Sequence, residues 1–69
     1  MYEGSLWVKR ELASSALSLA QLEPGIEDAH IDDKYKGGSM VVVRYYYTDK
    51  HLRMVVANEL NRKIKNLLI

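Results

Sequence analysis

The sequence predicts an α+β fold, a two-layer sandwich in which two helices cover one face of a three-stranded antiparallel sheet (β-α-β-β-α). Two segments alternate apolar with polar residues, and a third is continuously β-branched or aromatic, which is typical of strands. Two further segments repeat apolar residues at helical spacing, one after the first strand and one after the third. Helices and sheet bury their apolar faces by packing together.

The first strand and the first helix are predicted between residues 4 and 23. "GSLWVK" alternates Leu6 and Val8 with other residues and is interpreted as a short strand. "ELASSALSLAQLE" has helical spacing, and Pro24 ends it because proline disfavours a helical residue before it. Its apolar stripe comprises Leu12, Ala16, Leu17, Leu19, Ala20 and Leu22. The many Ala and Ser residues indicate a surface that another helix could approach closely.

The second strand is predicted in "IEDAHIDDKYK", followed by a two-residue hairpin turn. Gly37 and Gly38 are expected to supply the positive φ angles of that turn. The alternation assigns Ala29, Ile31 and Tyr35 to one face and Asp28, His30, Asp32 and Lys34 to the other.

"SMVVVRYYYT" is the strongest predicted strand, with β-branched and aromatic residues throughout its centre. One face carries Val41, Val43, Tyr45 and Tyr47, and the other carries Met40, Val42, Arg44 and Tyr46. Both faces are substantially apolar, so we expect both to be covered, one of them by a partner. Val42, Arg44 and Tyr46 are therefore predicted at a dimer interface.

The last helix is predicted from about residue 49 to residue 68, with Thr48 or Asp49 as its N-cap. Its apolar stripe comprises Leu52, Val55, Val56, Leu60, Ile64 and Leu67. Arg53 falls on the same ridge as Ala57, Leu60 and Ile64, although a buried lone arginine is costly. Either its stem packs along the helix while its head reaches solvent or an acid, or it lies at a seam with a partner chain.

The length and composition of the chain limit the functions that it can have. The chain of 69 residues is expected to form a single domain, residues 1–69, and it has no cysteine for disulfides or zinc–thiolate sites. Such a small core favours association with a partner. The longest apolar runs, such as "MVVV", are too short to span a membrane, and the N-terminus lacks a signal-peptide pattern. We therefore expect a cytoplasmic protein.

The charges are unevenly distributed along the chain. The acids of residues 23–33 are Glu23, Glu27, Asp28, Asp32 and Asp33, with no Lys or Arg among them. The bases of residues 44–65 are Arg44, Lys50, Arg53, Arg62, Lys63 and Lys65. This asymmetry is compatible with a nucleic-acid surface, for which the candidates are Arg44, Arg62, Lys63 and Lys65. Solvated faces of a small domain are the alternative.

The sequence offers no catalytic constellation. Ser14, Ser15 and Ser18 lie in the first helix without a nucleophile-elbow context. Asp28, His30 and Asp32 could bind a metal weakly, but we interpret them as acidic strand residues that protect a sheet edge. No phosphate-binding loop is present, since "KGGS" leads into a strand. We predict a non-enzyme with no catalytic residues, no metal site and no cofactor.

An RNA-binding module is the alternative function. The element order is similar to that of small RNA-binding folds such as the KH domain, but the G-x-x-G loop between two helices is missing. "RYYY" could stack bases, although Tyr45 and Tyr47 are assigned to the core, which leaves mainly Arg44 and Tyr46.

The segment "GGSMVVVRYYYTDKHLRMVVANELNRKIKNLL" resembles the small dimerising subunit of the KEOPS complex, the CTAG/Pcc family. The shared features are a glycine hairpin, an apolar strand, "TD" opening a helix, and "LR" shortly afterwards. The family usually has an asparagine four residues after this arginine, whereas here Ala57 stands there and Asn58 follows. The segment between Asp49 and Leu52 is also about one residue shorter. These departures favour a diverged paralogue.

The resemblance implies a non-catalytic scaffold subunit. Members of the family dimerise, dock through their helices onto the catalytic subunit that transfers threonylcarbamoyl to tRNA adenosine, and help bind tRNA. For this chain it implies a homodimer, or a heterodimer with a related small subunit. It carries over only Arg53 as a partner-binding residue. Exposure and spacing add Met54, Ala57, Asn61 and Leu68.

Overall fold

The computed structural model, which describes residues 1–33 and 37–67, confirms the predicted fold class and element order. The strands are β1 (Tyr2–Lys9), β2 (Asp28–Asp32) and β3 (Met40–Tyr47), and the helices are α1 (Ala13–Leu22) and α2 (Arg53–Leu67). A single 3-10 turn precedes each helix, at Arg10–Leu12 and Lys50–Leu52. The predictions made for Lys34, Tyr35 and Leu68 concern residues outside the described ranges, where Ile69 also lies, and they stay predictions.

The sheet has the order β1-β3-β2, and both neighbours run antiparallel to β3. In the β1–β3 ladder Trp7 lies opposite Val42, and in the β2–β3 ladder His30 lies opposite Arg44. The alternation predicted for β3 is confirmed. Its inner face carries Val41, Val43, Tyr45 and Tyr47, all buried beneath the helices.

Gly4 lies on β1 directly opposite Tyr45 on β3. A Cβ atom on Gly4 would lie 2.2 Å from Cζ of the Tyr45 ring, so the absent side chain makes room for that ring. The ring is buried and stacks against Tyr47 with centroids 6.2 Å apart. Burial also raises the pKa of the Tyr45 hydroxyl. The aromatic end of the core therefore depends on a glycine in an edge strand.

The alanines of helix α1 are buried inside the fold. Ala13, Ala16 and Ala20 are buried, and α1 packs against β2, β3 and α2, so the other helix that α1 contacts is α2 of the same chain. The α-helix begins at Ala13, two residues after the start of the predicted segment, because residues 10–12 form a 3-10 turn. The inclusion of Leu22 in the stripe is wrong, since its side chain is 80% exposed at the last turn.

The end of α1 is tied to the start of α2. Glu23 is extended before Pro24, as predicted, and Gly25 adopts φ +92°. A Cβ atom on Gly25 would lie 2.5 Å from Cδ1 of Leu52. Asp49 caps the turn before α2, because its carboxylate accepts a hydrogen bond from the His51 amide at 2.9 Å.

Helix α2 buries Val56 and Leu60, with Leu52 and Ile64 packed partly against the core. The predicted stripe is too wide, since Val55 and Leu67 are exposed. A residue 100° from the core-facing line of a helix turns toward solvent, and Val55 precedes the buried Val56 by one residue. The core-facing positions thus follow a narrow four-residue repeat.

The hairpin between β2 and β3 differs from the prediction at one glycine. Gly37 has φ +81°, but Gly38 does not adopt a positive φ. The Gly38 carbonyl instead accepts a hydrogen bond from Nε of Arg10 at 2.8 Å. Arg10 also forms two hydrogen bonds to the Asp33 carboxylate, at 2.8 and 2.9 Å. The chain after β1 therefore holds both sides of the hairpin.

Replacement of Gly4 by Ala is expected to lower the free energy of unfolding by about 1–3 kcal/mol, because the new methyl group would displace the Tyr45 ring. Chemical denaturation measures this cost. In a Tyr45→Leu background the same replacement should cost much less, since the obstructing ring is gone. Equal costs in the two backgrounds would contradict the proposed contact.

Candidate functional site

The outer face of the sheet is organised around Arg44 on the central strand. Its Nε donates a hydrogen bond to Oδ2 of Asp32 at 2.8 Å, and its Nη1 donates one to Oε1 of Glu3 at 2.9 Å. Hydrogen bonds to Asp32 and then Glu3 raise the pKa of the guanidinium above its ordinary value. Since Glu3 lies on β1 and Asp32 on β2, one arginine links all three strands.

The three residues predicted at a dimer interface share this face but differ in accessibility. The side chain of Val42 is only 1% exposed, so it offers almost no surface to a partner. Arg44 is partly exposed and already paired with two carboxylates. Tyr46 is partly exposed and stacks on His30, with ring centroids 5.7 Å apart. The backbone places Val42, Arg44 and Tyr46 in one row on the outer face. Within the chain, however, Val42 is already buried, Arg44 is paired with two carboxylates and Tyr46 is stacked on His30.

Trp7 and the edge of β1 provide a more accessible surface, which the sequence analysis did not assign. The Trp7 side chain is 52% exposed beside the buried Val42. An apolar depression of about 210 Å³ lies next to it. The depression is lined by Trp7, Val8, Lys9, Leu12, Met40 and Ile64. The sequence did contain a signal for this surface, because the alternation in "GSLWVK" places Trp7 on the outer face of the sheet.

The predicted partner-binding residues of α2 lie on one side of the helix. At about 100° per residue, Arg53, Ala57, Asn61 and Met54 fall within an arc of roughly 100°. Met54 is 65% exposed, Arg53 and Asn61 are exposed, and Ala57 is half-buried at the border with the core. Val55 is 56% exposed on the opposite side of the core-facing line. We call the arc formed by Arg53, Met54, Ala57 and Asn61 the α2 surface.

Arg53 is the first residue of α2 and is exposed. Its head group reaches solvent, and within residues 1–33 and 37–67 it forms no ion pair. The charge is therefore not buried in the chain itself, and its planar donors are available beside Met54.

The basic residues near the C-terminus are largely paired. Arg62 donates to Glu59 at 2.7 Å, and this contact lowers the pKa of the Glu59 carboxyl. Lys63 donates to the carboxylate of the buried Glu23 at 2.5 Å. Lys65 is exposed and has no ion pair in the part of the chain that the structure describes. With Arg44, three of the four nucleic-acid candidates neutralise acids of the same chain.

The described residues include no group of three or more histidine and carboxylate side chains placed to hold a metal ion. Ser14, Ser15 and Ser18 are exposed on α1. Among the described helices, none is long and apolar enough to cross a membrane.

Glu23 and Lys63 form a contact that sequence reasoning missed, because the two residues are 40 positions apart with no local pattern linking them. Replacement of Lys63 by Met would leave the buried carboxylate without its counter-charge. We expect this to lower the free energy of unfolding by about 1–3 kcal/mol. Adding Glu23→Gln should recover part of the loss, because a neutral amide needs no counter-charge.

Lys65→Met is the matched control, since it removes an exposed lysine from the same helix and should change stability by less than about 0.5 kcal/mol. Equal denaturation midpoints for the Lys63 and Lys65 variants would contradict a structural role for the pair.

Comparison of the chain with models of protein families, with curated proteins and with solved structures finds no match in any of the three.

Proposed function

We propose that the chain is a non-catalytic dimerisation and scaffold subunit of a KEOPS-like complex, and that it supports threonylcarbamoyl-adenosine modification of tRNA. It docks onto the catalytic subunit through its helices, with the α2 surface as the main contact. The observation that carries this proposal is the exposed Met54 beside Arg53, which is exposed and forms no ion pair with the residues that the structure describes. Both belong to the segment "TDKHLRMVVANELN", which holds the most specific part of the family resemblance.

The chemistry of the α2 surface suits a contact with another helix. A methionine side chain is flexible and adapts to an apolar groove. The small Ala57 at the border of the core allows a neighbouring helix to approach closely, and a guanidinium offers five donors for carbonyls or carboxylates. A central apolar anchor with an arginine beside it is typical of residues that dominate binding energy.

A stand-alone RNA-binding module is less favoured by the charges. Arg44, Arg62 and Lys63 each contact a carboxylate of the same chain. Phosphate binding at these positions would compete with contacts that are already made. These residues can add to a tRNA surface shared with other subunits, but Lys65 and Arg53 are the more available cations.

Replacement of Met54 by Glu is expected to abolish capture of the catalytic subunit, because a charge would be buried in the apolar contact. The measurement is co-purification of a tagged chain with the KEOPS-type catalytic subunit of the same organism. Val55→Glu is the matched control, since Val55 is similarly exposed but lies about 100° further round the helix, outside the α2 surface. Circular dichroism of both variants checks that the fold is retained.

Capture that survives Met54→Glu, or that is lost equally with Val55→Glu, would contradict docking through the α2 surface. Failure of the unmodified chain to capture the catalytic subunit would contradict the proposed complex.

The RNA-binding alternative is tested by the salt dependence of tRNA affinity for the isolated chain. Neutralisation of several phosphates by free lysine and arginine gives a steep loss of affinity with added salt. Because most candidate cations are internally paired, we expect weak binding and a shallow slope. Tight binding with a steep slope that Lys65→Ala reduces would favour the RNA-binding module instead.

A further inference from the structure

The apolar depression beside Trp7 lies at the end of the sheet where β1 finishes and β3 begins. Both layers of the fold contribute to its walls. The two strands supply residues of the sheet, the turn before α1 supplies Leu12, and α2 supplies Ile64. Among the described residues, those that line it are Trp7, Val8, Lys9, Leu12, Met40 and Ile64, so every lining residue except Lys9 is apolar.

The depression is large enough to hold a small molecule. It is open to solvent beside the exposed Trp7 and Met40, while Leu12 and Ile64 are half-buried and Val8 is buried. Its volume is about 210 Å³. In another protein, an enclosed apolar cavity of about 150 Å³ binds benzene. The depression therefore has room for one aromatic ring or a short alkyl chain.

Lys9 supplies the charge at the rim of the depression. It is exposed and forms no ion pair with the residues that the structure describes. A lysine packs its alkyl stem along apolar surface while its ammonium group stays in water. Lys9 therefore forms part of the wall and still presents a positive charge to a bound molecule.

The start of α1 adds to the positive potential at this rim. Leu12 is the N-cap of α1 and makes no side-chain capping hydrogen bond. The N-terminal end of a helix carries a partial positive charge that favours an anion. Glu11, the adjoining acid, is exposed and does not line the depression. Lys9 and the helix end therefore favour the same sign of ligand charge.

We propose that this depression binds a free, small amphipathic monocarboxylate. The apolar body of the ligand, one ring or an alkyl chain of about six to eight carbons, packs against Trp7, Leu12 and Ile64. Its carboxylate lies at the rim near Nζ of Lys9. A largely apolar wall with one polar group that fixes orientation is the usual form of a small-molecule site.

The size of the depression favours a small molecule over a protein partner. A stable protein interface uses about 20–30 residues on each side, whereas the described residues that line the depression number only six. A short apolar body with one carboxylate matches both the volume and the charge. This binding site goes beyond the scaffold role and does not depend on it.

The test uses the fluorescence of Trp7, which is the single tryptophan of the chain and therefore reports occupancy directly. The probe is octanoate, and the matched neutral probe is octanamide. Contact with the alkyl chain should shift the emission maximum to shorter wavelength, and the shift should saturate with a dissociation constant on the order of 1 mM. Octanamide should bind about fivefold more weakly, because it lacks the charge that Lys9 and α1 favour.

Lys9→Glu reverses the charge at the rim and leaves the apolar wall in place. Octanoate should then bind about tenfold more weakly, and protonated octylamine should bind this variant more tightly than octanoate does. Lys50→Glu is the matched control, since it makes the same change in net charge at an exposed lysine in the turn before α2, at the opposite end of the helix from Ile64. It should change octanoate affinity by less than about twofold.

Circular dichroism of both variants checks that the fold is retained. The comparison of octanoate with octanamide needs no variant, so it decides the matter even where Lys9→Glu does not fold. Absence of a saturable shift with octanoate would overturn the proposal, as would equal affinities for the two probes.

Unchanged octanoate binding by a folded Lys9→Glu chain, or an equal loss in Lys50→Glu, would likewise overturn it. Octanoate affinity that falls as the protein concentration rises would show that a second copy fills the depression instead, which also overturns the proposal. Capture of the catalytic subunit through Met54 is measured separately, so the failure of either proposal leaves the other standing.

Discussion

The structure depends on the burial of the inner face of β3 and on the pairing of this strand on both sides. Its inner side chains form the centre of the core with α1 and α2, and Val42 on its outer face is buried as well. The remaining elements are arranged to satisfy this strand. The flanking strands complete its backbone hydrogen bonds, and both helices supply the apolar cover that its inner valines and tyrosines require.

Much of this arrangement could be predicted because it follows from short-range patterns. The alternation in "SMVVVRYYYT" assigns both faces of β3 correctly, and Pro24 ends α1 as expected. The errors occur where position in the fold overrides the pattern. Leu67 has a core-facing position in the helical repeat, yet it lies near the end of α2 and is exposed.

The candidate site was less predictable, because it depends on contacts between residues far apart in the sequence. Val42, for example, lies between Trp7 on β1 and Asp32 on β2, which are both remote from it in the sequence. The exposure of Arg53 follows from the position of the first turn of α2, which the ridge of Ala57, Leu60 and Ile64 did not reveal. Helical spacing did place Arg53, Met54, Ala57 and Asn61 together, because it requires no long-range information.

Part of the acidic and basic segments along the sequence is joined by contacts inside the chain. Glu23 contacts Lys63, Asp32 contacts Arg44, and Asp33 contacts Arg10. Segments of opposite sign therefore hold β2 and its flanks against the central strand and α2. Of the four basic residues that suggested a nucleic-acid partner, Arg44, Arg62 and Lys63 form ion pairs inside the chain. Lys65 and Arg53 are the more accessible cations.

The pairing of Tyr2 with Tyr47 has a consequence for how the chain folds. Strand β1 is synthesised before β3, its only strand partner within the described fold, and α1 and β2 lie between the two in the sequence. Closing such a long loop before any stabilising contact forms makes folding slow, and it leaves the strand unpaired while the rest of the chain emerges. Glu3 and Lys9 near the two ends of β1 reduce aggregation during this interval, since charged residues flanking an apolar strand oppose non-specific pairing.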